Sequence, residues 1–373
     1  MIKILAEQSI PYLRGVLEEL GEVTYLPSAE FTPSSVRDMD WLIVRSITKC
    51  TEQLLAGSRV RLITSATIGY DHIDTDYCDR AGIAWYNAPG CNAGGVGQYF
   101  GGVLSYLAVN HLFDPRGKTI GIVGVGHTGT YVARYAEAMG MKLLLNDPIR
   151  AEREGSQGFV DYPTLMHKSD LITYHVPLTY DGEHATYHLF SDATLRLIGK
   201  RRPLLGNFCR GAVTDTSALL RGVRNGYLGG LLIDCWENEP HISTDLLERV
   251  LIGTPHIAGF SADGKSNAAR ACLLRGLEFF GLKSTRLSRV APEPPQVSTI
   301  DLSDFPNDGL RLFRAVLSTY DPYPVDRRLR KEYGDFELLR RTYSYPREPH
   351  AYLVLNATDE EAEPLSHIGF GIG

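Results

Sequence analysis

The sequence predicts an α/β protein: two doubly wound parallel-sheet units and a smaller α+β segment at the C-terminal end. Three observations predict it. Short apolar runs alternate with helical patterns twice, once in residues 1–90 and again from about Lys118 to Thr254. A proline-rich stretch, "APEPPQV" (Ala291–Val297), then sets off a remainder with elements of its own. The length, 373 residues, exceeds one compact domain, and 43% hydrophobic with 22% charged residues is a composition that can bury a large core.

In the first stretch "IKILA", "EVTYL", "WLIVRS", "VRLITSAT" and "IAWYNAP" read as strands, being short and rich in β-branched and aromatic residues. "SIPYLRGVLEEL" and "TDYCDRAG" carry the helical spacing expected between them. A longer helix, "GGVGQYFGGVLSYLAVN", leads into "GKTIGIVGVGHTGTYVARYAEAMGMKLLLND". There the second alternation begins, and it continues through "DLITYHVPL", "RPLLGNFC" and "LGGLLIDC". "NAARACLLRGLEFFGL" reads as one long helix that returns the chain to the first unit. Beyond the linker, "GLRLFRAVLSTY" and "AYLVLNA" are the clearest elements. "RRLRKEYGDFELLRR" mixes basic and acidic residues as an exposed helix face does. The expected boundaries are residues 1–93 with 258–286, residues 94–257, and residues 287–373.

Composition excludes several function classes. A formal charge of −6 argues against nucleic acid or an anionic membrane as the main partner, while leaving room for a local basic pocket. The six cysteines lack C-x-x-C or other metal spacing, so reduced, buried thiols and no metal site are expected. The start, "MIKILAEQSIPYLRG", lacks the basic-then-apolar layout of a signal peptide. No apolar run approaches the roughly 20 residues that span a bilayer. A soluble, cytoplasmic protein is expected.

The firmest local motif is "GIVGVGHTG", which places Gly124-x-Gly126-x-x-Gly129 directly after an apolar strand and at the start of a helix. Side chains at such a turn would keep the backbone away from a pyrophosphate, and the helix start offers free amides and a positive dipole end. This is the phosphate turn of a Rossmann-like dinucleotide site. "LLLND" ends in Asp147, 18 residues after Gly129. A carboxylate there accepts hydrogen bonds from ribose hydroxyls and repels a 2′-phosphate, favouring NAD over NADP, with nearby Arg150 as a weak counter-indication.

Three further segments stand where strands should end, and in such sheets ligands bind at carboxyl ends. "GNFCRGAVTD" carries Arg210, "LIDCWENEP" carries Asp234 and Glu239, and "TPHIAGF" carries His256. Arginine offers a two-pronged donor to a carboxylate, and histidine can trade a proton near neutral pH. A glutamate beside that histidine would orient the ring and favour the imidazolium. Glu237, two residues before Glu239, is the competing choice for that glutamate. Asp215 reads as the cap of the helix "TSALLRGVRNG". Arg45 and Lys265 are open between binding a substrate phosphate and lying solvated on the surface.

The order and spacing of Arg210, Glu239 and His256 resemble the D-isomer-specific 2-hydroxyacid dehydrogenase family, as do "VRSITK", "ATIGYDHID", "NAPGCNA", "DCWENEP" and "TPHIAGFSADGK". The resemblance runs from Met1 to about residue 370. It implies NAD-dependent oxidation of a small phosphorylated hydroxy acid, an aldonic acid, in a cytoplasmic homodimer formed through the C-terminal domain. It implies that Arg210, Glu239 and His256 are catalytic, with proline after Glu239 marking the family position. It also places the backbone of His127 and Thr128 at the pyrophosphate and Asp147 at the ribose. Val176, Phe208, Cys209, Asp234 and Gly259 fall beside the cofactor, and Arg45, Ser46, Thr67 and Phe260 at the substrate. Four departures stand out. Phe260 replaces a usual tyrosine, Val176 a frequent threonine, Gln98 the glutamate of a Glu-Tyr pair, and Arg201-Arg202-Pro203 a glycine-bearing turn. A phosphoglycerate or other D-2-hydroxyacid dehydrogenase is the same-chemistry alternative. A NAD-sensing binding protein of the same fold is the alternative of another class.

Overall fold

A computed structural model describes residues Met1–Gly373. The chain divides into two compact units, Met1–Asn92 with Ser261–Pro294 and Ala93–Phe260 with Pro295–Gly373. No helix is long and apolar enough to cross a membrane.

The first unit is built on five parallel strands: β1 (Ile2–Glu7), β2 (Gly21–Leu26), β3 (Trp41–Val44), β4 (Leu62–Ser65) and β5 (Ala84–Tyr86). Their order is β2-β1-β3-β4-β5. β3 reads as an unbroken apolar run, and every residue of β3 and β4 is buried, because both faces are covered. Side chains alternate across the sheet, so Trp41 and Ile43 join one buried cluster and Leu42 and Val44 another. The helix Ala262–Phe280 covers the first face. It comes close because Gly276 lies against the Trp41 ring, where an added Cβ would overlap the indole. Trp41 Nε1 donates to Thr64 Oγ1 at 2.9 Å, satisfying the one polar atom of the buried ring.

One expected helix is absent. "SIPYLRGVLEEL" forms turns and a single 3₁₀ turn, Leu17–Glu19. Pro11 stands inside the stretch, and Tyr12 (φ 65°) and Gly15 (φ 80°) take left-handed backbone, which a helix cannot contain. Ile10, Leu13, Val16 and Leu17 are buried nonetheless, so the apolar spacing is used without a helix.

The second unit holds six parallel strands: β6 (Thr119–Val123), β7 (Lys142–Asn146), β8 (Leu171–Tyr174), β9 (Leu204–Asn207), β10 (Gly230–Ile233) and β11 (Ile252–Gly253). The order is β11-β10-β9-β8-β6-β7, and a one-residue bridge, Leu145 to Phe159, adds the trace of a seventh strand beyond β7. The order reverses between β6 and β8, which makes that junction the switch point at which such sheets bind ligands. A third, small parallel sheet follows near the C-terminus: β12 (Thr299–Asp301), β13 (Leu353–Leu355) and β14 (Gly371–Ile372), with β13 central.

The C-terminal segment shares its core with the six-stranded sheet. Phe313, Val316, Val354 and Leu365 lie in one buried cluster with Ile120 and Ile122. The helix Arg311–Thr319 packs along Ala93–Val109, a helix apolar on nearly every side. Gly102 makes this possible, since an added Cβ would come 2.6 Å from the Tyr320 carbonyl oxygen. Gln98 donates from Nε2 to Thr319 Oγ1 at 3.1 Å and to the Arg347 carbonyl at 2.7 Å, which gives one departure from the family pattern a structural use. "RRLRKEYGDFELLRR" is two short helices, Tyr323–Glu332 and Phe336–Arg341, rather than one exposed face. Leu329, Phe336 and Leu339 are core residues there, and Arg330 caps the Leu247 and Val250 carbonyls. Five of the six cysteines are buried and none forms a disulfide; burial pushes the thiols of Cys50 and Cys272 up to about 12.

Candidate active site

β6 delivers the chain to the glycine turn, and the helix His127–Ala138 leaves it. The three glycines answer three separate constraints. Gly124 has φ 86°, and an added Cβ would come 2.7 Å from Val176 Cγ1 and 2.8 Å from the His175 carbonyl. Strand β8 ends there, so this residue closes the switch point. A Cβ on Gly126 would meet nothing within 4 Å, so bare backbone borders open space at the helix start. Gly129 presses its helix onto the Gly124 carbonyl, where any side chain would overlap. No side chain caps the first turn, so the amides of His127 and Thr128 are left to an outside acceptor. The arrangement fits the diphosphate of a dinucleotide.

Asp147 stands just past β7 and is tied to the same turn. Its Oδ2 accepts from Val125 N at 2.8 Å and its Oδ1 from Arg150 N at 3.1 Å. Arg150 donates to the Val125 carbonyl at 2.5 Å and is held by Glu154, with Nη2 to Oε2 at 2.7 Å. The guanidiniums of Arg150 and Arg153 keep the Glu154 carboxyl down at about 2. The Arg150 guanidinium beside Asp147 is therefore already matched by Glu154.

Beyond β8 and β9 the structure refines two residues. Phe208 is buried, with its ring against Tyr99 (5.3 Å) and His175 (6.0 Å), so only its backbone is left for a cofactor. Cys209 donates its thiol to Asn207 Oδ1 at 3.3 Å, and burial pushes that thiol up to about 11. Arg210 follows. Its guanidinium is exposed and folds back to the Cys209 carbonyl, Nη1 to O at 2.8 Å.

β10 ends at Asp234, which is buried. Its carboxylate organises the turn that carries the histidine. Oδ1 accepts from Thr254 Oγ1 (2.6 Å) and Ile257 N (2.8 Å), and Oδ2 from Ala258 N (3.0 Å). Tyr99 OH completes the chain at 2.7 Å from Thr254 Oγ1. Burial raises the Asp234 carboxyl, offset in part by the nearby His256, Thr254 and the two amides. His256 itself sits at φ 55°, a left-handed backbone that costs a non-glycine residue about 1–3 kcal/mol unless its surroundings enforce it. Here they do, because His256 N also donates to the Asp234 carbonyl at 2.9 Å.

Glu239 meets His256 directly, Oε2 to Nδ1 at 2.7 Å, while its Oε1 accepts from Trp236 N at 2.6 Å. A carboxylate facing Nδ1 assigns the ring proton to that nitrogen and leaves Nε2 as the base. The imidazole is 28% exposed, open enough to reach a ligand. Glu237, the competing glutamate, pairs elsewhere: its Oε1 accepts from His188 Nε2 at 2.6 Å. Asp215 caps its helix, accepting from Ser217 N at 2.8 Å. Gly259 continues the His256 turn, half-buried. Phe260 points its ring at Tyr345 (5.8 Å) and Tyr343 (6.4 Å), so it meets the C-terminal segment by packing.

In the first unit, Arg45 follows β3 and reaches back across the switch point between β1 and β3, Nη1 to Ser9 Oγ at 3.0 Å. Ser9 in turn donates to Glu7 Oε1 at 2.5 Å. Ser46 beside it is exposed. Thr67, after β4, donates its hydroxyl proton to the Gly69 carbonyl at 2.8 Å and takes the Ser65 proton at 2.6 Å, so it can offer a ligand only an acceptor. Lys265 lies in the first turn of the helix capped by Ser261. Sequence reading passed over the Tyr99–Thr254–Asp234 chain and the Glu237–His188 pair. Neither has a local signature, since the partners are 155 and 49 residues apart.

Residues 106–258 match the family model described as "D-isomer specific 2-hydroxyacid dehydrogenase, NAD binding domain". The chain is 51% identical to a curated erythronate-4-phosphate dehydrogenase of Porphyromonas gingivalis, over 99% of this chain and all of the relative. It is 42% identical to one of Bacteroides thetaiotaomicron, over 95% and 99%. Among solved structures, NAD-bound 3-phosphoglycerate dehydrogenase of Entamoeba histolytica matches at 26% identity and TM-score 0.62, over 75% of this chain and 95% of that one. D-lactate dehydrogenase of Aquifex aeolicus, complexed with NAD and lactic acid, shares the fold at 24% identity and TM-score 0.57, over 78% and 100%.

Proposed function

The chain belongs to the D-isomer-specific 2-hydroxyacid dehydrogenases, among the erythronate-4-phosphate dehydrogenases, and on that premise we propose that it oxidises 4-phospho-D-erythronate to 2-oxo-3-hydroxy-4-phosphobutanoate with NAD, a step of vitamin B6 synthesis. The observation that carries the chemistry is the His256–Glu239 pair, 2.7 Å apart, in the same unit and beyond the strand ends of the same sheet as the glycine turn.

The glycine turn and Asp147 would hold NAD, which would supply the acceptor for the hydride of C2. The chain's residues do the rest. The Arg210 guanidinium swings from the Cys209 carbonyl to grip the substrate carboxylate in two-pronged fashion and polarise the C2 oxygen. His256 Nε2 accepts the proton of the C2 hydroxyl, forming the imidazolium. Glu239 holds the tautomer that makes Nε2 the acceptor and stays against the ring as it becomes cationic. Asp234 keeps the His256 turn in its left-handed conformation, so the ring is aimed before substrate arrives. Arg45, Ser46 and Thr67, at strand ends of the first unit, are residues we assign to substrate binding.

A panel assay tests this. NADH formation should be fast with 4-phospho-D-erythronate and at least about tenfold slower, as kcat/KM, with 3-phosphoglycerate and D-lactate. Comparable turnover of all three would overturn the substrate assignment. No turnover of any, with NAD binding intact, would favour a binding protein.

A homodimer and a cytoplasmic setting complete the reading. Tyr333, Leu338, Leu353 and Ile372 expose apolar surface in the C-terminal segment, and six cysteines without a disulfide suit a reducing compartment. Light scattering of the full chain should give twice the protomer mass.

A further inference from the structure

We propose that the Glu237–His188 pair is a positioning latch for the dehydrogenase reaction, fastening the loop that carries Arg210 to the loop that carries Glu239. The inference rests on the dehydrogenase reading above.

The two loops leave neighbouring strands. After β9, the Arg210 loop is held at its root by Asn207, whose Nδ2 donates to the Arg210 carbonyl (3.0 Å) and to Thr214 Oγ1 (3.0 Å). Its outer side is zipped to residues 188–190: His188 N donates to the Ala212 carbonyl (2.8 Å), and Asp215 N to the Phe190 carbonyl (2.9 Å). After β10, the second loop carries Trp236, Glu237 and Glu239. The loops touch backbone to backbone at Gly211, where any side chain would overlap the Trp236 carbonyl.

That contact alone sets a distance but no register, since a glycine against a carbonyl can slide. Glu237 supplies the register. Its Oε1 accepts from His188 Nε2 at 2.6 Å and its Oε2 from Thr216 N at 3.0 Å. One carboxylate thus grips both the strip that zips the Arg210 loop and the helix into which that loop runs. Asn238, at φ 63°, turns the backbone between the two glutamates, so that Glu237 reaches the Arg210 loop while Glu239 reaches His256. Burial works to raise the Glu237 carboxyl, yet the Thr216 amide and the His188 ring outweigh it and hold it below the usual glutamate range. His188 is itself fixed, stacked on Tyr187 at 4.0 Å and 15°.

Asp215 brings a third possible ligand atom within 4.8 Å of the pair. Both Glu237 oxygens and one Asp215 oxygen are nevertheless occupied by protein donors, so the cluster is a hydrogen-bonded latch and not a metal seat.

The latch decides where the carboxylate-binding guanidinium stands relative to the proton acceptor, a relation that catalysis feels at the scale of tenths of an ångström. Glu237→Ala should lower kcat/KM for 4-phospho-D-erythronate about ten- to a hundred-fold, with kcat carrying a share of the loss. The NAD dissociation constant should stay within about twofold, because the glycine turn and Asp147 are untouched. Glu237→Gln, which keeps an acceptor for Thr216 N, should recover most of the loss. Adding His188→Ala to Glu237→Ala should cost little more, since the two act as a unit. A structural role alone would lower Tm in all variants and leave kcat and KM of the folded protein unchanged; that result overturns the proposal. Independent, multiplying losses for the two residues would overturn it as well. Wild-type turnover of the same substrate is the control: its absence would sink the dehydrogenase reading, whereas its presence beside unchanged Glu237→Ala kinetics sinks the latch alone.

Discussion

Two histidine–glutamate pairs sit side by side in the second unit, and their chemistry diverges. Glu239 meets His256 at 2.7 Å and Glu237 meets His188 at 2.6 Å, with one residue between the glutamates. Both histidines have left-handed backbone, φ 55° and 49°, and both rings are a little over a quarter exposed. They differ in the nitrogen used. His256 gives Nδ1 to its glutamate and keeps Nε2, the outer nitrogen, for a ligand. His188 gives Nε2 itself, which ends its reach, and its ring face is covered by Tyr187. A charge-assisted pair is thus not a site by itself. The nitrogen left over, and what lies before it, decides.

The strongest way to break this comparison is to remove each imidazole in turn. His256→Asn should lower kcat by about 10³-fold or more, as loss of a general acid–base does, with NAD binding retained. His188→Asn should cost no more than the latch does, about ten- to a hundred-fold in kcat/KM. Steady-state kinetics with 4-phospho-D-erythronate and fluorescence titration with NADH measure both. Equal losses for the two variants would mean that the proton acceptor has been assigned to the wrong ring.

The sequence made the sheets, the glycine turn and the order of Arg210, Glu239 and His256 legible, because each is written locally. Strands announce themselves by short apolar runs, and Gly124 and Gly129 by positions where no side chain fits. "DCWENEP" made both glutamates visible, and the proline after Glu239 favoured that one through the family resemblance; the Asn238 backbone turn that sends the two apart has no signature of its own. The helix expected in "SIPYLRGVLEEL" failed for a related reason. Its apolar spacing was genuine and its burial was achieved, but left-handed residues at 12 and 15 broke the helical path. Long-range partners were the least legible. Gln98 reads only as a replacement for the glutamate of a Glu-Tyr pair, and its use is to hold Thr319 and Arg347, more than 200 residues away.

A smaller effect sharpens the comparison at its root. The His256 turn hangs on a buried carboxylate, whereas the Glu237–His188 pair is anchored by one backbone amide, Thr216 N, at a helix start. Thr254→Val removes the hydroxyl that donates to Asp234 and leaves the buried Tyr99 hydroxyl without its partner. The expected loss is about 1–3 kcal/mol of unfolding free energy, the usual cost of orphaned buried polar groups. Tyr99→Phe should cost less, about 0.5–1.5 kcal/mol, because it deletes a single donor cleanly. Urea unfolding measures both, and a Thr254→Val protein as stable as wild type would show that the turn is held by the amide bonds to Asp234 alone.

The smallest expected effect separates the two carboxylates by the sign of their pH dependence. Glu237 is held below the ordinary glutamate value of 4.5, and Asp234 is raised above the ordinary aspartate value of 3.8. A lowered carboxyl binds fewer protons folded than unfolded, so its contribution is fully present above about pH 4.5 and is lost as pH falls from there through the lower folded-state value. A raised carboxyl does the reverse, and its contribution falls as pH rises above about 3.8. Glu237→Gln should therefore be less stable than wild type at pH 7 and converge on it only as pH falls below about 4.5, the gap remaining under about 1 kcal/mol because the pair is partly solvated. Asp234→Asn should show no such convergence over the same interval, since its lost hydrogen bonds do not titrate away as pH falls. Unfolding free energies of the three proteins, taken at half-unit steps from pH 7 to about 2.5, test this. A gap for Glu237→Gln that is constant across the series would mean that its carboxylate charge adds nothing to the latch, leaving shape and hydrogen-bond geometry as the whole of its role.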